Sequence, residues 1–218
     1  MTAMTDRQPR EDDSEPLTRG HKKRARTRQG LLDAALRVFA RQDIAATVFQ
    51  DLAAEAQVST GTIYNYFKTR EELAEAVGIS LASDFSETIS QLSSGISSGS
   101  RRLAIGVRMF VLQAQSDPQW ASALLRVIHY DQAMHSTLAN HVREDLRGGL
   151  AEGVFSYANE DVALDLVIAC ATGAIRASLE GRAPDGQDIL LGEMILRALG
   201  ATPAKATKIA ALPLPQGD

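Results

Sequence analysis

The chain has 218 residues, 44% hydrophobic and 23% charged, which is the composition of an ordinary globular protein with enough length to bury a sizeable core. Its net charge of −4 argues against a uniformly nucleic-acid-binding surface, and its single cysteine, Cys170, excludes an internal disulfide. Because the polar N-terminus lacks a signal peptide and the longest apolar run is about half of a membrane span, we expect a cytoplasmic protein with no membrane partner.

Charge is distributed unevenly along the chain. Residues 1–18 carry five acidic residues and two prolines with few apolar side chains, which predicts a disordered tail. From Arg19 to Arg41, eight basic residues accompany one acid, Asp33, whereas from Ala76 onward fifteen acidic residues exceed eleven basic ones. This asymmetry is expected when only the N-terminal part contacts phosphates.

The basic segment leads into the first predicted helix. Its apolar stripe consists of Leu31, Leu32, Ala35, Leu36, Val38 and Phe39. Lys22, Arg26 and Arg28 lie upstream, where they could clamp the phosphates of a nucleic acid. A merely solvated helix end is the alternative.

Two short helices follow and a third begins. Thr47-Val48-Phe49-Gln50 has the form of a capping box, and Ser59 is a predicted N-cap for a helix over 58–68. On that helix Ile63 and Phe67 point one way, while a small polar face points the other. A second capping box, Thr69-Arg70-Glu71-Glu72, opens the next helix. A helix, a tight turn and a helix with an exposed polar face form the helix-turn-helix arrangement that enters the major groove.

The sequence here resembles a known family. Asp51-Leu52-Ala53, followed by Val58-Ser59-x-Gly61-Thr62-Ile63-Tyr64-x-Tyr66-Phe67-Lys68-x-Arg70-Glu71-Glu72-Leu73, is similar to the DNA-binding signature of the TetR family of bacterial transcriptional regulators. The detailed match covers roughly residues 31–73. Asp43 and Gln57 replace glycines that are common in the family; if Gln57 is left-handed, the cost is on the order of 1 kcal/mol.

The resemblance implies an all-α fold, with an N-terminal three-helix DNA-binding unit and a larger C-terminal bundle for ligand binding and dimerisation. We expect a DNA-binding domain at 19–68, a helical domain at 69–200 with a connecting helix at 69–92, and a flexible tail at 201–218. Residues expected at base edges are Thr60, Gly61, Thr62 and Asn65. Those expected mainly at phosphates are Thr47, Tyr64, Tyr66 and Lys68, together with the basic segment.

Helical spacing continues through the rest of the chain, with no convincing strand. The predicted helices cover 101–115, 118–130, about 134–155, 161–180 and 185–199. Between the connecting helix and the next lies Gly95-Ile96-Ser97-Ser98-Gly99, which matches the G-x-S-x-G motif of hydrolases. That motif requires a preceding strand, so we interpret the segment as a loop.

The middle helices carry residues suited to a ligand pocket: Met109, Phe110, Gln113, Trp120, Leu124, His129, Tyr130 and Phe155. For each of them, an ordinary core position is the alternative. The predicted dimer interface comprises Leu166, Cys170, Gly173, Ala174, Ala177, Leu191, Ile195 and Leu199, which could instead close an intramolecular core.

Three histidines, His129, His135 and His141, recur every six residues and therefore point about 120° apart on a helix, which argues against a shared metal.

We expect no cofactor and no enzymatic activity. Our hypothesis is a homodimeric regulator, more specifically a repressor, released from a palindromic DNA operator by a small apolar or amphipathic inducer. The alternatives are a DNA-binding dimer without ligand control and a helical small-molecule enzyme.

Overall fold

The computed structural model describes residues 19–127 and 137–216 and contains no strand within these ranges, so the all-α prediction is confirmed. The helices are α1 (Arg19–Arg41), α2 (Phe49–Ala56), α3 (Thr60–Tyr64), α4 (Arg70–Leu92), α5 (Gly99–Ser116), α6 (Pro118–Val127), α7 (Thr137–Ala151), α8 (Glu160–Leu179), α9 (Gln187–Ala198) and α10 (Pro203–Ala210). A short 3-10 helix, Ile44–Ala46, precedes α2.

The first three helices and the start of α4 surround one hydrophobic core. Phe39 of α1, Leu52 of α2 and Ile63 of α3 are fully buried in it, together with Phe67 and Leu73. These are the apolar positions that helical spacing predicts for each element. The core fixes α3 in the helix-turn-helix and leaves the opposite side of that helix to solvent.

The fourth helix links this unit to the rest of the molecule. Thr69 caps it by accepting a hydrogen bond from the backbone N–H of Glu72 at 3.1 Å, as predicted for a capping box. The Glu72 carboxylate returns to the N–H of Lys68 at 2.6 Å rather than to that of Thr69. At 23 residues, α4 is about 35 Å long, with Val77 in the first core and Ile89 in the larger body.

The larger body is organised around α5, which contacts α7, α8 and α9. Its N-terminus lies very close to α7, because a Cβ added at Gly99 would stand 2.6 Å from the carbonyl oxygen of Asp145 and 2.7 Å from the Cα of Gly148. Glycine is therefore required at Gly99. The carboxylate of Glu152 also accepts hydrogen bonds from the Gly99 N–H at 2.5 Å and the Ser100 hydroxyl at 2.7 Å.

The flexible tail predicted after residue 200 is wrong over most of its length. Thr202 caps α10, and Ala206 and Ala210 are buried in the main core of the larger body. Arg108, itself buried, donates to the Ala210 carbonyl at 2.9 Å and pairs with Asp188 at 2.9 Å. The Pro/Ala-rich composition did not indicate a packed helix, because α10 packs through small alanine side chains and lacks a stripe of large apolar residues.

Within the described residues, α8 is the one helix long and apolar enough to cross a membrane by length and composition. A third of that stretch is buried inside the protein, where α8 contacts α5, α6, α7 and α9. Its apolar composition is thus partly accounted for by packing in the bundle.

Candidate nucleic-acid interface and ligand cavity

The turn between α2 and α3 has the geometry of a helix-turn-helix. Gln57 adopts the left-handed conformation, with φ 54° and ψ 43°, and ends α2. Ser59 then caps α3 by accepting a hydrogen bond from the Thr62 N–H at 3.2 Å, as predicted. The helix is shorter than the predicted 58–68, since regular α geometry stops at Tyr64, although the Phe67 N–H still bonds to the Ile63 carbonyl at 2.9 Å.

The outer face of α3 is polar and accessible. Gly61 and Asn65 are exposed, and Thr60 and Thr62 are half-buried. Beyond Ser59 Oγ at 3.8 Å, a Cβ added at Gly61 would meet nothing, so the surface there is open. Thus the four residues expected at base edges lie on or beside one accessible surface. Its small side chains would let DNA approach closely.

Aromatic and basic residues border this surface. Tyr64 is 49% exposed and packs edge-on against Phe49, with ring centroids 4.9 Å apart. The Lys68 ammonium donates to the Tyr64 carbonyl at 2.6 Å, so it neutralises the negative end of α3 while remaining exposed. Tyr66 is half-buried beneath Arg24, whose guanidinium lies 5.6 Å from the ring centroid.

The basic segment of α1 extends past this unit into solvent. Lys22 and Arg26 are exposed, and neither side chain has a hydrogen-bond or ion-pair partner among the described residues. Arg28 is also exposed, and its guanidinium lies 5.5 Å from the centroid of the Phe67 ring. Arg28 is therefore oriented by stacking, whereas the other two remain available to a negatively charged partner.

Thr47 does not belong to the interface, contrary to the sequence prediction. It is 1% exposed, and its hydroxyl donates to the Asp43 carbonyl at 3.0 Å while accepting from the Gln42 side chain at 3.2 Å. The predicted capping box is wrong as well, because Val48 occupies the N-cap position and α2 has no side-chain cap. A buried, satisfied hydroxyl cannot reach a phosphate, so Thr47 stabilises the loop between α1 and α2.

Two ion pairs fix α2 against α1. Arg37 and Arg41 each donate to one carboxylate oxygen of Glu55 at 2.6 Å. The hydrogen bond from Arg37, followed by that from Arg41, lowers the pKa of the Glu55 carboxyl. These two arginines are thus engaged inside the unit, and the positive charge free to meet DNA lies nearer the start of α1.

A cavity of about 130 Å³ lies in the larger body, where α4, α5, α6, α7 and α8 meet. Most of its wall is apolar: Ala82, Ile89, Leu103, Gly106, Val107, Phe110, Leu124, Val142, Val167, Ile168, Ala171 and Ile175. The remaining residues that line it are polar or charged: Ser86, Ser90, Ser93, Arg102, His141, Glu144, Asp145 and Thr172. Such a lining suits an apolar molecule with a few polar groups.

The polar groups of the cavity are partly paired with one another. Ser86 Oγ lies 2.9 Å from His141 Nδ1, and Arg102 Nε donates to Asp145 at 2.6 Å. Burial raises the pKa of the Asp145 carboxyl to about 6, against the opposing influence of Arg102. Ser93 is 1% exposed, and its hydroxyl has no hydrogen-bond partner among the described residues. An unpaired buried hydroxyl beside a cavity is a natural contact for a ligand.

An aromatic cluster connects the cavity with neighbouring helices. Phe110, in the cavity wall, packs edge-on against Phe85 of α4 at 4.9 Å between ring centroids. Trp120 of α6 lies 5.3 Å from Phe85 and 6.1 Å from Phe110. Because α6 also contacts α1, this cluster connects the cavity to α4 directly and to α1 through α6. Both α1 and α4 pack against the helix-turn-helix.

Two family models match the chain, and together they cover most of it. Residues 31–77 match the bacterial regulatory proteins of the tetR family, and residues 100–212 match the tetracyclin repressor-like C-terminal domain. The second match alone spans more than half of the chain. The protein belongs to the TetR family. It is therefore a transcriptional regulator with a DNA-binding helix-turn-helix, as the sequence pattern predicted.

Individual relatives agree with this assignment. The HTH-type transcriptional regulator LuxR of Vibrio harveyi is 43% identical over an alignment of 75 residues. The alignment covers 31% of this chain and 37% of LuxR, so this chain spans little more than a third of that relative. RolR in complex with resorcinol has a TM-score of 0.71 at 26% identity, covering 89% of this chain and 98% of RolR. FadR from Bacillus subtilis, in complex with stearoyl-CoA, has a TM-score of 0.63 at 18% identity, covering 80% of this chain and 98% of FadR. At this low identity, the comparison with FadR shows a shared fold and nothing more.

In this TetR-family protein, the cavity uses few of the residues predicted for it. Phe110 and Leu124 line it, and Trp120 packs behind Phe110. Met109 and Gln113, on α5, do not line it. The prediction that Phe155 lines the pocket is wrong. Phe155 is buried in the main core of the larger body against Gly149, where an added Cβ would stand 2.2 Å from the ring. His129 and Tyr130 lie outside the described residues.

The predicted dimer residues also divide into two groups. Ala174, Ile195 and Leu199 are buried within the chain itself and are removed from the predicted interface. The others are half-buried or exposed: Leu166, Cys170, Gly173, Ala177 and Leu191. The predicted interface left out the most exposed apolar residues of these two helices, Val162 and Met194, each 68% exposed.

Proposed function

We propose that this TetR-family regulator is a homodimeric repressor that leaves a palindromic operator when a small molecule occupies its cavity. The observation that carries the proposal is the accessible polar face of α3, together with the exposed basic residues of α1. A protein with this arrangement has one surface for base edges and another for phosphates. Such a regulator acts where bacterial DNA is, in the cytoplasm.

In the proposed complex, α3 enters the major groove, and the residues on and around it contact either bases or phosphates. Thr60, Gly61, Thr62 and Asn65 face base edges. Tyr64, Tyr66 and Lys68 contact phosphates, together with Lys22, Arg26 and Arg28. Asn65 is the strongest candidate for direct readout, since an amide can pair with adenine through two hydrogen bonds.

Dimerisation is proposed from the surface of α8 and α9. Nine large hydrophobic side chains are exposed in the described residues, and five of them lie on these two helices: Val162, Leu179, Ile189, Leu190 and Met194. A second copy of the chain would cover this surface and form a four-helix interface. Two copies would place two α3 helices on successive half-sites of DNA.

Ligand control is proposed because α4 belongs to both parts of the molecule. Leu73 and Val77 lie in the DNA-binding core, while Ile89, about three helical turns after Val77 on the same helix, lines the cavity. A ligand that changes the packing around Phe110 would shift α4, and α6 with it. The complexes of RolR with resorcinol and FadR with stearoyl-CoA support small-molecule binding in proteins of this fold.

A pair of variants tests the DNA-binding assignment. Asn65→Ala should reduce discrimination between duplexes at one position of each half-site, by the equivalent of about 1–3 kcal/mol, because a base contact is lost. Lys68→Ala should weaken all duplexes alike and reduce the slope of log affinity against log salt by about one. Selection of bound duplexes from a randomised library, followed by anisotropy titrations at two salt concentrations, measures both effects. Uniform weakening by Asn65→Ala would contradict the base-reading role.

A further inference from the structure

Resting on the proposed ligand control, we infer that the cavity takes an uncharged compound about one aromatic ring in size whose hydroxyl group bonds with Ser93. The apolar part of the ligand would lie against Phe110 and Leu124. Its hydroxyl would point toward Ser93, the residue that ends α4.

The volume of the cavity suits a small ligand. At about 130 Å³ it is close to the cavity of about 150 Å³ that holds benzene in an engineered protein core. A long acyl chain or a nucleotide is several times larger. The walls near Leu103, Val107 and Ile175 are aliphatic, which suits a compact hydrocarbon ring.

The charges around the cavity disfavour an anionic ligand. Among the described residues, Arg102 is the only lysine or arginine that lines it. Its guanidinium is already engaged with Asp145 and with the carbonyl oxygens of Ile96 and Ser97 at 2.8 and 3.0 Å. Asp145 and Glu144, both on α7, add two carboxyl groups to the lining. A ligand carboxylate would therefore meet like charges and no free cation.

The unpaired hydroxyl of Ser93 identifies the polar contact. A buried hydroxyl without a partner costs free energy, and a ligand hydroxyl would satisfy it. Ser86 and His141 are bonded to each other, about two helical turns from Ser93 along α4, so they do not compete for the same ligand hydroxyl. Gly106 also lines the cavity, and a Cβ added there would meet no described atom within 4 Å.

Calorimetric titrations with phenol, toluene and benzoate test the inference. We expect phenol to bind more tightly than toluene by roughly fivefold or more, which is the value of one hydrogen bond, and benzoate not to bind. Ser93→Ala should remove the preference for phenol over toluene. Ser94→Ala, at the adjacent exposed position, is the matched control and should leave the preference unchanged.

A second variant tests the location of the ligand without weakening the helix. Gly106→Leu should fill the cavity and abolish phenol binding, and it should keep α5 intact because leucine favours helix more than glycine does. Trp120 is the only tryptophan and packs against Phe110, so its fluorescence should change with phenol in the parent protein and not in Gly106→Leu.

The outcomes separate this inference from the proposed function. Equal affinity for toluene and phenol, tighter binding of benzoate, or unchanged phenol binding in Gly106→Leu would overturn the ligand class while leaving DNA binding in place. Operator binding that phenol does not alter, although phenol fills the cavity as expected, would contradict ligand control instead.

Discussion

Asp145 couples the stability of the larger body to pH. Burial raises the pKa of its carboxyl to about 6, whereas an unfolded aspartate titrates near 3.9. The folded protein therefore holds the Asp145 proton more tightly than the unfolded chain does. This contribution to stability is fully present below about pH 4 and is lost as the pH rises through about 6.

The variant Asp145→Asn should remove this pH dependence. Relative to the parent, its free energy of unfolding should rise by roughly 2 kcal/mol between about pH 4.5 and pH 7, because asparagine has no proton to lose. Urea unfolding at both pH values measures the change. Asp84→Asn, at an exposed position of α4, is the control. If the free energies of unfolding of Asp145→Asn and the parent changed with pH in parallel, burial would not raise the pKa of the Asp145 carboxyl.

At the scale of elements, the turn between α2 and α3 carries strain that its sequence reveals. Gln57 has φ 54°, a left-handed conformation that favours glycine. Asp43, the other position where glycine is common in the family, has φ −66° and carries no such strain. Only one of the two departures from the family pattern therefore affects the backbone.

Replacing Gln57 with glycine should stabilise the protein. We expect Gln57→Gly to raise the free energy of unfolding by about 0.5–1 kcal/mol, because relief of the left-handed strain exceeds the added freedom of the unfolded chain. Gln50→Gly, in the exposed part of α2, should instead lower it by about 1 kcal/mol. Denaturant unfolding of both variants provides the comparison. A loss of stability in Gln57→Gly would contradict the strain argument.

Helical periodicity and caps made most elements predictable, and tertiary contacts explain where prediction failed. Ser59 and Thr69 cap the helices expected of them, whereas Thr47 matches a cap pattern but is turned inward by hydrogen bonds with Asp43 and Gln42. Ser93 belongs to the cavity although its serine-rich segment resembles a linker. Its placement depends on α4 meeting α5 and α7, which no local pattern encodes.

For the whole molecule, the exposed apolar surface of α8 and α9 predicts self-association. Met194→Asp should weaken the dimer by roughly thirtyfold or more, because it places a charge in the centre of the proposed interface. Leu150→Asp, 46% exposed on α7, is the matched control and should leave the dimer intact. Sedimentation over a range of concentrations gives both dissociation constants. A parent protein that stays monomeric, or equal effects of the two variants, would contradict the proposed interface.

The central claim is that this TetR-family protein recognises one DNA sequence as a dimer. The most direct test is an anisotropy titration of the purified protein against DNA fragments flanking its own gene, with random duplex as competitor. The account predicts saturable binding to one fragment that survives the competitor, with two protein chains for each site. Weak binding to every fragment alike, abolished by moderate salt, would contradict it, because that result needs only the basic segment of α1 and no reading by α3.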